Sequence, residues 1–129
     1  MSIWLPPGHT IITNDAGITW RAWADGITEI TGQAGSPQTA RARGQLALRI
    51  AAYNARLNCG TKRRSHYYQP GQCGNANAEI RTWCGKLIWL DGSAYDSHYP
   101  ICTRCRAIES DIESEADAAG HLIVNGRIL

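Results

Sequence analysis

The sequence predicts an α+β fold: an N-terminal β-hairpin or short sheet packed on one helix, then a zinc-stabilised β-hairpin with a second helix. Three observations lead there. Short β-branched and aromatic runs bounded by turn residues fill the first third and recur between residues 66 and 90. Two longer segments carry helix formers behind start signals. Cys84, Cys102 and Cys105 stand at a spacing suited to one metal ion. A chain of 129 residues holds one ordinary domain or two small modules. The natural division is a strand–strand–helix module over 1–58 and a metal-binding module over 59–129, closing with an acidic helix and a short strand.

Taken in order, Thr10–Thr13 is a β-branched run closed by Asn14-Asp15-Ala16-Gly17, and Ile18–Ala24 follows. Asp25-Gly26 is a hairpin turn signal, with Ile27–Thr31 as the returning strand. Ile27 and Ile30 break strict alternation, which a bulge or a short strand would accommodate. Ser36-Pro37 announces a helix, because serine caps free amides and proline at the first position loses no hydrogen bond. Leu46, Ile50, Tyr53 and Leu57 recur at helical spacing and are expected to face the sheet, with Asn58-Cys59-Gly60 as the stop. His66–Gln69 and Glu79–Cys84 read as strands joined by a Pro-Gly loop, and Lys86–Leu90 as a third. Cys102 to about Ala119 reads as a helix ended by Gly120, and His121–Asn125 as a last strand.

The amino terminus lacks the basic start and apolar core of a signal peptide, and no apolar run reaches bilayer-spanning length. The chain is therefore expected in the cytoplasm, without membrane contact and with reduced thiols. Five cysteines, an odd number, fit a disulfide framework poorly and fit metal or redox chemistry better. In Cys102-Thr-Arg-Cys105 two thiolates at a helix entrance point at one ion, favoured by the free amides of the turn. In Trp83-Cys84-Gly85-Lys86 the glycine lets the backbone fold tightly around a third thiolate. Zinc needs a fourth ligand. His66 is the first choice, Cys73 the second, with His98 and Cys59 behind them. The competing readings are a redox pair, which requires a βαβ context, and inert buried thiols. A catalytic zinc would need an open position and a nearby carboxylate base, a role for which Glu79 is the residue considered.

The order His66, Thr82-Trp83-Cys84-Gly85-Lys86, then Cys102-Thr-Arg-Cys105-Arg106 and a helix resembles the small His/Cys zinc-finger proteins of actinobacteria and their phages. The likeness covers roughly residues 65–110. It implies one structural zinc held by a histidine, a Cys-Gly turn and a Cys-x-x-Cys helix, and a phage or actinobacterial provenance. The long interval from His66 to Cys84, with Cys73 inserted, departs from that pattern.

Charge is distributed unevenly. Residues 1–106 carry 12 basic and 6 acidic groups, whereas residues 107–129 carry Arg127 against five carboxylates. Such asymmetry signals surfaces with different partners, or two surfaces that meet each other. From Arg41 to Arg64 there are seven basic residues and no acidic one. On a helical wheel Arg41, Arg49 and Arg56 fall within about 80° of one another, beside the apolar arc. Lys62, Arg63 and Arg64 extend the stripe towards Tyr67 and Tyr68. Arginine forks suit phosphate, and aromatic rings stack on unpaired bases. The stripe thus reads as a nucleic-acid surface, in competition with a protein-partner contact, a solvated helix face, or a face covered by the acidic helix of the same chain. Asp91, Asp96 and His98 form a polar loop cluster without a recognisable nuclease motif.

These readings combine into a cytoplasmic zinc-binding accessory or regulatory factor with a nucleic-acid partner. A protein–protein interaction factor acting on a host machine is second, and a metal-dependent nuclease or hydrolase third.

Overall fold

A computed structural model describes residues 3–14, 18–61, 64–70, 79–89 and 100–129. It has the expected α+β class: two helices and several small antiparallel sheets. Strands β1 (Thr10–Thr13), β2 (Thr19–Ala24) and β3 (Ile27–Gln33) form one antiparallel sheet in that order. Along β2 the side chains of Trp20, Ala22 and Ala24 are buried while Thr19 and Arg21 face out, the period of two that fixes register. Trp20 pairs with Gly32, Ala22 with Ile30 and Ala24 with Ile27, so β3 takes three residues where β2 takes two. This bulge is what the broken alternation of Ile27 and Ile30 encodes. Gly32 is dictated by packing, since a Cβ there would lie 2.3 Å from the Trp20 ring.

Helix α1 (Pro37–Ala55) opens as the Ser-Pro pair predicts, the Ser36 hydroxyl accepting the Thr39 amide at 3.1 Å. Its contact with the sheet differs from the expected stripe. Ala40, Gly44, Leu48 and Ala52 are buried at intervals of four, together with Arg49 and Tyr53. A row of small residues brings the helix closer to the sheet than a row of leucines would; a Cβ on Gly44 would lie 2.9 Å from an Ile11 methyl. Leu46 and Ile50 are displaced to the flank, where they line an open cleft of about 650 Å³ with Trp20, Ile30 and His121. Leu57 is 41% exposed and outside the helix. Arg56 turns extended, and β4 (Leu57–Thr61) follows where a glycine stop was expected.

Strand β4 pairs with β5 (Arg64–Tyr68), placing Cys59 opposite His66. The expected hairpin between the His66 and Cys84 strands is therefore replaced by two others, β4–β5 and β6 (Glu79–Arg81) with β7 (Leu87–Trp89). Helix α2 (Thr103–Ala118) buries Cys105, Glu109, Ile112 and Ala116, one face at spacings of three and four. It ends in a Schellman arrangement: the His121 amide bonds the Ala116 carbonyl, the Gly120 amide bonds that of Asp117, and Gly120 has φ +93°.

The last strand expected over 121–125 is instead a tight hairpin of β8 (Ile123–Val124) and β9 (Arg127–Ile128). Asn125 and Gly126 have φ of 52° and 73°, a type I′ turn whose Asn-Gly signature is present in the sequence. Asn54 of α1 clamps it, exchanging hydrogen bonds of 2.8 Å with both the amide and the carbonyl of Ile128. One buried cluster runs from Trp20 and Ala22 through Leu48 and Tyr53 to Trp83, Cys105, Ile112 and Ile128, so segments 1–58 and 59–129 draw on a common core. Among the described residues, no helix is long and apolar enough to cross a membrane.

Candidate metal centre

Strand β5 is the spine of the site. On one edge it pairs with β4; elsewhere its backbone collects the other ligand-bearing segments. The Ser65 amide donates to the Pro100 carbonyl at 2.9 Å, and the Cys102 amide donates to the Ser65 carbonyl at 2.7 Å. The Trp83 amide donates to the Tyr67 carbonyl at 2.8 Å. The start of α2 and the β6–β7 turn are thereby fixed on either side of His66.

That turn is the Thr82-Trp83-Cys84-Gly85-Lys86 segment. The Thr82 amide donates to the Lys86 carbonyl and the Gly85 amide to the Thr82 carbonyl, both at 2.9 Å. Gly85 has φ +88°, a conformation side-chain-bearing residues rarely adopt. The Thr82 hydroxyl accepts the Lys86 amide at 3.1 Å and lies 3.0 Å from the Cys84 sulfur. Thr82 is a supporting residue the sequence reading did not single out; a hydroxyl two positions before a Cys-Gly pair is the signal for it.

His66, Cys84, Cys102 and Cys105 converge, with one ligand atom from each lying within 4.8 Å of all the others. His66 Nδ1 is 3.5 Å from the Cys84 sulfur and 3.8 Å from the Cys105 sulfur. Tetrahedral zinc with Zn–S near 2.3 Å and Zn–N near 2.0–2.1 Å requires an N–S edge of about 3.6 Å. The two distances from His66 Nδ1 match that edge, and the four donors are close enough together to share one ion. His66 and Cys105 are buried and the other two partly so. No disulfide joins the described cysteines.

The protonation preferences vary with position. Burial, followed by the nearby Lys86 charge, holds the His66 pKa below its usual value and keeps the imidazole neutral, the form that ligates. Burial also opposes the Cys84 thiolate, but hydrogen bonds from the Thr82 hydroxyl, the Lys86 backbone and the Cys105 and Cys102 thiols together outweigh it and lower that pKa. Deeper burial pushes the Cys105 thiol up to about 12 without a cation. A buried thiol of that kind beside two others is what a divalent ion relieves.

Cys59 belongs to a separate buried group with Tyr68, Ile80 and Ile88. Cys73 and His98, the other candidate fourth ligands, lie outside the described residues, as do Asp91 and Asp96. Glu79 starts β6 and is exposed, apart from the converging group.

Two residues of the basic stripe are engaged within the chain. Arg49 is fully buried. Its guanidinium donates to Asp111 at 2.6 Å and to the Trp4 carbonyl at 3.3 Å, with Glu115 at 3.5 Å. Arg56 is paired with buried Glu109 at 3.2 Å, donates to the Tyr53 and Gly126 carbonyls, and lies 3.9 Å from the centre of the Tyr53 ring. Arg106 pairs with the same Glu109 and with Glu113. The cause is that α2 packs on α1, so its carboxylates neutralise two of the three arginines of that helix face. Arg41 and Arg64 remain exposed, and Lys62 and Arg63 lie outside the described residues.

Fold and site together define a small α+β protein with a His/Cys cluster compatible with metal binding. Compared with known proteins, the chain matches no family model, no curated protein and no solved structure.

Proposed function

We propose that the cluster holds one structural zinc ion and that the protein is a non-catalytic accessory or regulatory factor with a nucleic-acid partner, of the actinobacterial and phage zinc-finger kind. The observation that supports the zinc reading is the convergence of one imidazole and three sulfurs within 4.8 Å of one another. Four protein ligands leave no coordination position for a reacting water, the mark of a structural rather than a catalytic site. The ion would tie β5, the β6–β7 turn and α2 together, reinforcing the backbone hydrogen bonds that already join them.

Native mass spectrometry tests the zinc reading. One zinc per chain is expected, and Cys84→Ser and Cys102→Ser should each lose it and loosen the second half of the fold. Retention of full zinc stoichiometry in both variants would refute the ligand set. The partner reading is tested by generic DNA and RNA, whose binding should weaken steeply with salt.

A protein partner is the second reading, favoured by one observation. The C-terminal hairpin exposes Leu122 at 68%, Val124 at 48% and Leu129 at 62% on neighbouring positions, more apolar surface than a solvated tip requires. Absence of nucleic-acid binding even at low salt would promote it.

A further inference from the structure

With Arg49 and Arg56 neutralised by α2, the exposed cations left on α1 are Arg41 and Arg43, the latter donating to the Gln33 carbonyl, and three further cations stand next to the metal ligands in sequence. Arg64 stands two residues before His66, Lys86 two after Cys84, and Arg104 between Cys102 and Cys105. All three are exposed. Among the described residues, none of them pairs with a carboxylate, unlike Arg21, Arg49, Arg56 and Arg106. Two residues of chain span at most about 7 Å, and the ligand atoms lie within 4.8 Å of one another. The three residues therefore stand on the backbone segments that carry the ligands.

Their number exceeds what the cluster needs. Three thiolates, a neutral imidazole and a divalent ion sum to one negative charge. One cation balances it, leaving two in excess.

Of the three, Arg104 also borders a cleft of about 1000 Å³ between the N-terminal segment and α2. Arg104 lines it with Ile3, Trp4, Trp83 and Ile108. Trp4 is half-buried, its ring centre 4.7 Å from that of Trp83. The one carboxylate in the lining, Asp111, is already committed to Arg49. An apolar, tryptophan-lined cleft beside unpaired cations matches a flat aromatic ring carrying a negative charge close by, which is the chemistry of an unpaired nucleotide. A duplex keeps its bases stacked and paired and offers no ring to such a cleft.

We propose that this face, from Arg64 and Lys86 to Arg104 and the Trp4 cleft, binds single-stranded nucleic acid, with phosphates on the three cations and a base against Trp4. The proposal rests on the nucleic-acid reading above and moves its surface from the basic helix to the metal-bearing module.

The test is fluorescence anisotropy of a labelled oligothymidylate against the zinc-loaded full chain over a salt series. Arg104→Gln and Lys86→Gln should each weaken binding at low salt and flatten the log–log salt slope by about 0.7, one phosphate contact on a single strand. Trp4→Leu should weaken binding about fivefold or more while leaving the slope unchanged. Arg127→Gln, on the C-terminal hairpin, should change neither, and all four variants should keep one zinc. Loss on Arg41→Gln with Arg104→Gln unaffected would place the surface on α1, overturning this inference and sparing the reading beneath it. No binding at low salt would overturn both. Duplex bound as well as single strand with Trp4→Leu silent, or equal displacement by polyglutamate, would refute recognition of an unpaired nucleotide.

Discussion

Asp111 and Arg49 form an asymmetric pair, and the asymmetry sets the outcome of mutating either side. The Arg49 side chain is fully inaccessible while that of Asp111 is 65% exposed. Asp111→Ala removes a charge-assisted hydrogen bond of 2.6 Å and leaves a buried guanidinium with the Trp4 carbonyl at 3.3 Å and Glu115 at 3.5 Å. Breaking a buried pair from one side costs about 3–5 kcal/mol. Glu115 remains as partial compensation, so the expected loss is about 2–3 kcal/mol. Arg49→Met removes the charge itself, keeps most of the volume, and returns both carboxylates to water. Its expected cost is about 1 kcal/mol.

The double variant should therefore be close to Arg49→Met alone, within about 0.5 kcal/mol, because Asp111 has nothing left to neutralise. Urea unfolding of the zinc-loaded protein, followed by tryptophan emission, measures all three. An unfolding entropy of about 2.1 cal/mol/K per residue converts 3 kcal/mol into a fall of roughly 10 °C in Tm for a chain of this length. If Asp111→Ala costs no more than Arg49→Met, the guanidinium is hydrated and the account of α2 covering the helix is wrong.

Two further outcomes follow from packing and titration. Gly32→Ala places a methyl 2.3 Å from the Trp20 indole, so the ring must leave its seat over the sheet; a loss of about 1–3 kcal/mol with a red-shifted tryptophan emission is expected, and an unchanged stability curve would refute the packing. Burial, then the hydrogen bond its hydroxyl donates to Glu113, raises the Tyr53 pKa from 10.0 to about 12. The folded protein keeps a proton there that the unfolded chain releases. The contribution is thus complete below pH 10 and is lost as pH rises towards 12. Tyr53→Phe should flatten stability across that window, and an unaltered alkaline decline would refute it.

Much of the local structure was legible because short-range rules govern it. Ser36-Pro37 starts a helix, Gly120 stops one, and the spacing of Ile27 and Ile30 records a bulge, each through backbone geometry that depends on immediate neighbours. Asn125-Gly126 is an equally local hairpin signal, lying at the end of the segment expected as a single strand. The contact face of α1 was not legible. Leucine periodicity points to Leu46, Ile50 and Leu57, yet the alanine and glycine row lies nearest the sheet, because helix–sheet distance is set by the partner's bulk, here Trp20 and Ile11.

The same divide runs through the site. Cys84, Cys102 and Cys105 could be grouped from sequence, since a Cys-Gly turn and a Cys-x-x-Cys helix entrance each constrain their thiols locally. That His66 joins them depends on β5 bonding to residues 100–102 and to Trp83, long-range pairings that no local pattern encodes. Charge behaves likewise. The sequence determined that a basic segment and an acidic one exist. Only the tertiary structure decided that they meet, burying Arg49 and capturing Arg56 against α2, because whether a cation stays in water depends on which surface the fold lays over it.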